Sequence, residues 1–399
     1  MGSTSGRGLP TRRWPYDPAV AYWLTSGVVG LALLAQSTTP GCDPQRPSTT
    51  PPATAPVMLT TQDGVRVQAD AILSSLEVPW ALAFAPDGRL FVAERVGRVR
   101  IVNLSTSTSE TALTLDDVFR QGEAGLLGLA LAPDFAATRL VYLYYSAVVG
   151  NGAVNRIVRY REAGGRLAER AVLLDNIPAA TIHDGGRLRF GPDGLLYATA
   201  GDAANSSLAQ DPASLAGKFL RIERDGLAPR GNPFGSPVFS WGHRNPQGFD
   251  WHPVTGEIWA TEHGNSGNDE INVIRAGVNY GWPTIEAAQT FPNMEPPVTF
   301  FNPAIAPSGA AFYQGTRFPQ FAGNLFAATL RGVHLLRLVV DAQGRRVTRQ
   351  ERLLEGTFGR LRDVAVGPDG FIYICTNNRD GRGSPAAGDD RIIRLSPGS

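Results

Sequence analysis

One phrase recurs along this chain and restricts its fold more than any other feature. It reads apolar-x-Pro-Asp-Gly-x-apolar-aromatic, as in Phe84-Ala-Pro-Asp-Gly-Arg-Leu-Phe91, Phe190-Gly-Pro-Asp-Gly-Leu-Leu-Tyr197 and Val366-Gly-Pro-Asp-Gly-Phe-Ile-Tyr373. Looser copies start at Leu131, Trp251 and Phe318, which makes six in all. Their spacing of roughly 50–65 residues is one that marks propellers and other arrays. Each copy predicts a strand, a tight turn and a second strand, hence a hairpin. One such sheet cannot bury both of its faces, whereas six packed radially can. The expectation is an all-β chain, a six-bladed β-propeller spanning 58–399.

Composition adds exclusions. The formal net charge is +1 and no arginine-rich run lies inside the repeats, so nucleic acid is not an expected partner. Lys218 is the single lysine. Cys42 and Cys375 stand far apart in different settings, which argues against a disulfide and against a cysteine metal site. Cys375 falls in a strand of the last repeat, where it reads as a small buried apolar residue.

The N-terminus has its own pattern. Arg7, Arg12 and Arg13 precede an apolar stretch over 19–35, the order of an export signal and short for a spanning helix. Gly41-Cys42 follows, so 1–42 reads as an export signal that could end at a lipoprotein cleavage site with Cys42 lipidated. Thr39-Pro40 fits such a site poorly, and an uncleaved anchor is the alternative. Residues 43–57 are a Pro/Thr-rich tether. The chain is therefore expected to be exported, periplasmic or at the cell surface.

Polar residues gather just after the repeat strands and between the repeats. Glu94-Arg95, Gly201-Asp202, Glu262-His263, Arg331 and Asn377-Asn378 follow strands, and their convergence on one mouth would make a pocket. Between repeats, Thr181-Ile-His-Asp-Gly-Gly-Arg-Leu188 sets His183 ahead of a strand. Trp241-Gly-His-Arg-Asn-Pro-Gln-Gly-Phe249 crowds an arginine and two amides into a turn. Gly359-Arg-Leu-Arg-Asp363 presents Arg360 and Arg362 on one face of an extended segment. Taken singly, these are a turn, a solvated loop and a wet edge. No Walker loop, dinucleotide fingerprint, nucleophile elbow or His-Glu-x-x-His pair is present, and the five histidines show no metal-ligand spacing.

Taken together, the segments resemble the soluble PQQ-dependent glucose/sorbosone dehydrogenase family, and among its members the bacterial aldose sugar dehydrogenases. The resemblance rests on Gly125-Leu-Leu-Gly128, His183 with Gly186-Arg-Leu188, Arg244-Asn-Pro-Gln-Gly248, Asp269-Glu-Ile-Asn272, Asn279-Tyr-Gly-Trp282, Ala306-Pro-Ser308 and Arg360-Leu-Arg-Asp363. It implies oxidation of an aldose at its anomeric carbon to a lactone, with electrons passed to an external quinone or cytochrome. By the same resemblance His183 is the catalytic base and Asp202 its orienting carboxylate. Arg244 contacts PQQ and stabilises charge on it, with Asn245 and Gln247 beside it. Arg360 and Arg362 face the cofactor's carboxylates, Glu123 lies near cofactor and sugar, and Arg331 stands one residue from a cofactor-binding position. The Gly264 and Asn265 carbonyls would bind a calcium ion at the cofactor, and Glu270 with the Tyr280 carbonyl a structural one. Two rival expectations remain open here: a calcium-dependent propeller lactonase, which would not need three arginines, and a non-catalytic sugar-binding propeller.

Overall fold

A computed structural model describes residues 55–398. These form six antiparallel sheets, five of four strands and one of five, arranged as a six-bladed β-propeller. The first blade is Pro79–Phe84, Leu90–Glu94, Arg98–Asn103 and Thr108–Thr114, and four more follow in chain order, starting at Leu126, Leu188, Pro246 and Pro307. The sixth blade closes the ring. Its inner strands Leu361–Val366 and Ile372–Thr376 pair on to Ile392–Pro397, which pairs with the N-terminal strand Arg66–Leu73. A further strand, Val57–Thr60, adds to that edge and begins within the stretch read as tether. Closure thus joins the two ends of the described chain through backbone hydrogen bonds within the sixth blade.

The recurrent phrase is the turn between the first and second strands of each blade. In the copy at Phe190, the Gly191 N–H donates to the Leu195 carbonyl and the Gly194 N–H to the Gly191 carbonyl, closing a hairpin. Gly194 has a φ of 77°, a backbone state that favours glycine. Asp193 accepts from the Leu195 N–H at 3.2 Å, and its other oxygen accepts from the Tyr197 hydroxyl at 3.0 Å. Asp369 and Tyr373 repeat the arrangement at 2.6 Å. The aromatic residue that closes the phrase therefore buries its ring in the blade and returns its hydroxyl to the turn.

Second strands such as Leu90–Glu94, Leu196–Ala200 and Ile258–Glu262 are buried along their whole length, because each lies inside its sheet with neighbouring blades over both faces. That is why they read as mostly apolar runs, with charged residues at or just beyond their ends. Cys375 is buried and free within this core. The expected export signal and cleavage site at Cys42 lie outside the described residues. Among the described residues no helix is long and apolar enough to cross a membrane.

Candidate active site

The site forms at the end of the central channel where each blade's first strand begins. His183 sits in a loop with a φ of 62° and is followed by Gly185 and Gly186, both also at positive φ. The loop presses on the end of the next strand so closely that a Cβ at Gly201 would stand 1.9 Å from the His183 carbonyl oxygen. Glycine at 201 is therefore what lets the His183 loop and Asp202 meet.

His183 Nδ1 lies 2.8 Å from Asp202 Oδ1. An ionised carboxylate only accepts, so Nδ1 donates and Nε2 keeps its lone pair. Asp202 is fixed further by the Ala204 N–H at 2.9 Å on Oδ1 and by the indole N–H of Trp282 at 2.8 Å on Oδ2. Its own N–H donates to the Arg244 carbonyl at 2.8 Å, which ties the dyad to the fourth blade.

Arg244 lies over the Trp282 ring at 5.2 Å and donates to the His263 carbonyl at 3.2 Å. Its backbone N–H donates to Glu262, whose other oxygen holds Nδ1 of the buried His243 at 2.9 Å. The Asn245 side-chain oxygen accepts from the Gly185 N–H at 3.1 Å, linking this turn back to the His183 loop. Gln247 Oε1 accepts from Arg362 at 2.7 Å and from the Ser308 hydroxyl at 3.2 Å. Arg362 is buried beside Trp80, 5.6 Å from its ring, with no carboxylate in direct contact. Burial pushes this guanidinium down to about 9, with Asp380 nearby pulling the other way. Arg360, by contrast, is held by Asp380 through Nε at 3.0 Å and Nη2 at 2.7 Å.

Glu123 accepts from the His183 N–H at 3.2 Å and pairs with Arg382 at 2.7 Å. Burial works against its ionisation, but the field of His263 and the Arg382 guanidinium hold the carboxyl well below the ordinary range. Arg331 follows Leu330, whose carbonyl accepts from Arg360 at 3.2 Å, so it belongs to the same rim, yet its side chain is exposed. Direct contacts join 123, 183, 202 and 244, with 245 bonded to the same loop at Gly185, and separately 247 with 362; Arg360 connects to Glu123 through Asp380 and Arg382, and Arg331 lies beside it by its backbone.

The segment 264–280 forms the adjoining wall. The Gly264 N–H donates to Asp269 at 2.9 Å, and the other Asp269 oxygen accepts from the Ile305 and Ala306 N–H groups, both at 2.7 Å. Asp269 is therefore an internal brace. Glu270 faces Glu262 across paired strands, and burial, then the Glu262 charge, push its carboxyl up to about 8. Asn272 Oδ1, in the same spot, is buried without a hydrogen-bond partner. The Tyr280 hydroxyl is used internally, donating to the Val273 carbonyl at 2.6 Å. Among the described residues no three His, Cys, Asp or Glu side chains converge so as to hold a metal ion, and a site here would depend on carbonyl oxygens.

Several partners were not legible as such in the sequence. Trp282 stood in a recognised motif without a role, and its position in a polar turn, outside any apolar period, was the available signal. Asp380 gave none, and His263 was visible only as a polar residue at a strand end. Arg187 bridges to Asp363 at 3.0 Å and stacks on Trp80 at 4.3 Å, forming the floor beneath Arg362.

An Asp-oriented imidazole set beside guanidiniums at the mouth of a propeller is an arrangement chemically suited to an anionic cofactor or substrate. The model of the family described as Glucose / Sorbosone dehydrogenase matches residues 76–393, and the chain belongs to that family of oxidoreductases. Aldose sugar dehydrogenase YliI of Escherichia coli is 33% identical over 356 residues, covering 83% of this chain and 93% of its own. Quinoprotein glucose dehydrogenase B of Acinetobacter calcoaceticus is 32% identical over 250 residues, 54% of this chain and 52% of that one. The PQQ-bound form of aldose sugar dehydrogenase from Streptomyces coelicolor superposes with a TM-score of 0.75 at 37% identity, covering 87% of this chain and 99% of that one.

Proposed function

We propose that this chain oxidises aldose sugars at the anomeric carbon to lactones, with PQQ and calcium as cofactors, and passes the electrons to an external quinone or cytochrome. One observation carries the reading: an imidazole with a free Nε2 shares its mouth with guanidiniums that have no carboxylate of their own. The Nε atoms of Arg244 and Arg362 are buried without a partner. Leaving buried cations so is costly, and an anionic ligand relieves that cost.

When bound, PQQ would supply three carboxylates for these forks and the ortho-quinone that accepts the hydride. Arg360 and Arg362 would hold the carboxylates, with Asn245, Gln247, Glu123 and Arg331 around it. His183 Nε2 takes the proton of the anomeric hydroxyl as the hydride leaves the anomeric carbon. Asp202 stabilises the imidazolium that results and keeps its tautomer. Arg244 stabilises the negative charge that develops opposite.

A calcium ion on the Gly264 and Asn265 carbonyls would supply Lewis acidity at the cofactor. A structural one between Glu270 and the Tyr280 carbonyl would satisfy the Glu262–Glu270 charge pair and the orphaned Asn272 oxygen. Export through residues 1–42, ending in a lipid anchor at Cys42 or in an uncleaved anchor, completes the proposal. The test is to add PQQ and calcium to the purified chain and follow reduction of an artificial dye with a panel of aldoses. Aldose-dependent reduction is expected. Dye inertness accompanied by lactone hydrolysis, or by no turnover at all, overturns it.

A further inference from the structure

We infer that Trp282 is the positioning residue of this site, fixing the His183–Asp202 pair and Arg244 through one indole ring. The inference rests on the reading of His183 as the base. The carboxylate of Asp202 has two oxygens, and only one of them faces the imidazole. Rotation about its side chain would exchange them or turn both away. The Trp282 N–H at 2.8 Å occupies Oδ2, while Nδ1 of His183 and the Ala204 N–H occupy Oδ1. With both ends held, the carboxylate plane is set, and the ring it holds is confined to the tautomer that leaves Nε2 free.

The face of the same indole lies under the guanidinium of Arg244 at 5.2 Å, a cation–π contact that fixes where this charge sits. One side chain thus registers the proton acceptor against the charge stabiliser. Their separation has to match the substrate and the hydride acceptor together, which makes the registration worth having.

Trp282 is itself anchored from outside the catalytic set. Its backbone N–H donates to the Gly242 carbonyl at 3.0 Å, and its backbone carbonyl accepts from the Gln210 side chain at 2.6 Å. Gln210 and Asn279 exchange side-chain amide bonds at 3.1 and 2.9 Å. The turn that carries Gln210 is tied in turn by Lys218, whose ammonium group donates to the Leu208, Ala209 and Ala216 carbonyls at 2.8, 3.1 and 2.6 Å. The single lysine of the chain therefore pins a segment whose outward product is the placement of this indole.

Trp282→Phe keeps an aromatic face for Arg244 and deletes the N–H. Two readouts test it. In the holoenzyme, kcat should fall about tenfold with the sugar KM within twofold, the size seen when an orienting partner is removed while binding contacts stay. In the cofactor-free protein, nitrogen NMR of the His183 ring, assigned with His183→Ala, should move from a single Nδ1–H tautomer to a mixture. An unfolded histidine is also a tautomer mixture, so the signature is read on a variant shown to be folded by near-UV circular dichroism. Should Trp282→Phe fail to fold, Gln210→Leu, which loosens Trp282 from behind, should shift the same signature by a smaller amount. An unchanged tautomer signature in the folded variant overturns the inference, as does a kcat within twofold of the parent. The NMR result needs no turnover. An inert parent enzyme with a shifted signature would sink the proposed reaction alone, and an active parent with an unmoved signature would sink only the role of Trp282.

Discussion

The two ends of the central channel hold the same kinds of residue in opposite arrangements. At the far end, a cavity of about 340 Å³ is walled by Leu82, Phe84, Leu131 and Phe190, with Arg187, Arg189, Asp250 and Asp363 among them. Each of its arginines has a carboxylate: Arg187 with Asp363 at 3.0 Å and Arg189 with Asp250 at 3.1 Å. At the His183 end, Arg360 is paired, but Arg244 and Arg362 form no ion pair among the described residues. The far charges neutralise one another and stitch blades together. The near ones are held by amide and carbonyl oxygens, which position a guanidinium without cancelling it. A buried cation left uncancelled is destabilising for the fold, so its persistence marks a place kept for a ligand.

The largest expected effect removes the proton acceptor at the near end. His183→Ala should lower kcat by about 10³-fold, within the range contributed by general bases, while PQQ still binds. Turnover with dye and aldose measures it, and cofactor affinity is read by quenching of intrinsic fluorescence. A loss under tenfold would mean that another group takes the proton.

Next is calcium. A ligand held only by the folded chain stabilises it by about 2.7 kcal/mol at a hundredfold excess over its dissociation constant. Chelation should therefore lower Tm by several degrees, and Glu270→Gln should remove most of that response. A midpoint unmoved by verified removal of calcium would eliminate the structural ion.

A direct contrast sets the two ends against each other. Arg362→Met should weaken PQQ binding by roughly 30-fold, since it deletes a charge-assisted contact to a carboxylate. It should leave Tm unchanged or raised, because burying an unpaired cation is costly. Arg189→Met should do the reverse, leaving PQQ affinity alone while lowering stability by about 1 kcal/mol, the scale of a partly exposed pair. Equal effects of both variants on affinity would erase the distinction between the ends.

How much of this was legible in the chain depends on the range of the interactions. The blade hairpins could be read because Asp193, Gly194 and Tyr197 do their work within a few residues of one another. The closing strand Arg66–Leu73 could not, since its partner lies at the other end of the described chain. The same holds at the site. Nothing local joins Trp282 to Asp202, 80 residues away, or Arg362 to Gln247, 115 residues away. His183 and Asp202 are the exception: they flank one hairpin, Leu188–Phe190 with Leu196–Ala200, and that local pairing brings them to 2.8 Å. Arg331 shows the limit from the other side: its place in the order of the chain was right for the rim, while its exposed side chain makes no bond there.

The last expected effect, also on the scale of one partly compensated group, sharpens the contrast with a carboxylate instead of a cation. Asp184 follows the proposed base, is buried, and has no cation against it, unlike Asp363 at the floor of the channel. Its Oδ1 accepts from Asn155 at 2.9 Å and from the Ala180 N–H at 3.1 Å, while Oδ2 has no partner. Burial pushes the carboxyl up to about 7 against these two hydrogen bonds. The folded-state value lies above the unfolded one, so between about pH 4 and 7 the native chain holds a proton that the unfolded chain has released. Its contribution to stability is present below that window and is lost as pH rises through it. A shift of this size sets a ceiling of about 4 kcal/mol, and local relaxation or an entering water should bring the effect to about 1–2 kcal/mol. Asp184→Asn keeps the shape without the charge. It should match the parent in denaturant midpoint at pH 4 and exceed it at pH 8. An offset that is the same at both values would mean that the buried oxygen is solvated in the native state, and that the uncompensated charge at this end is confined to its arginines.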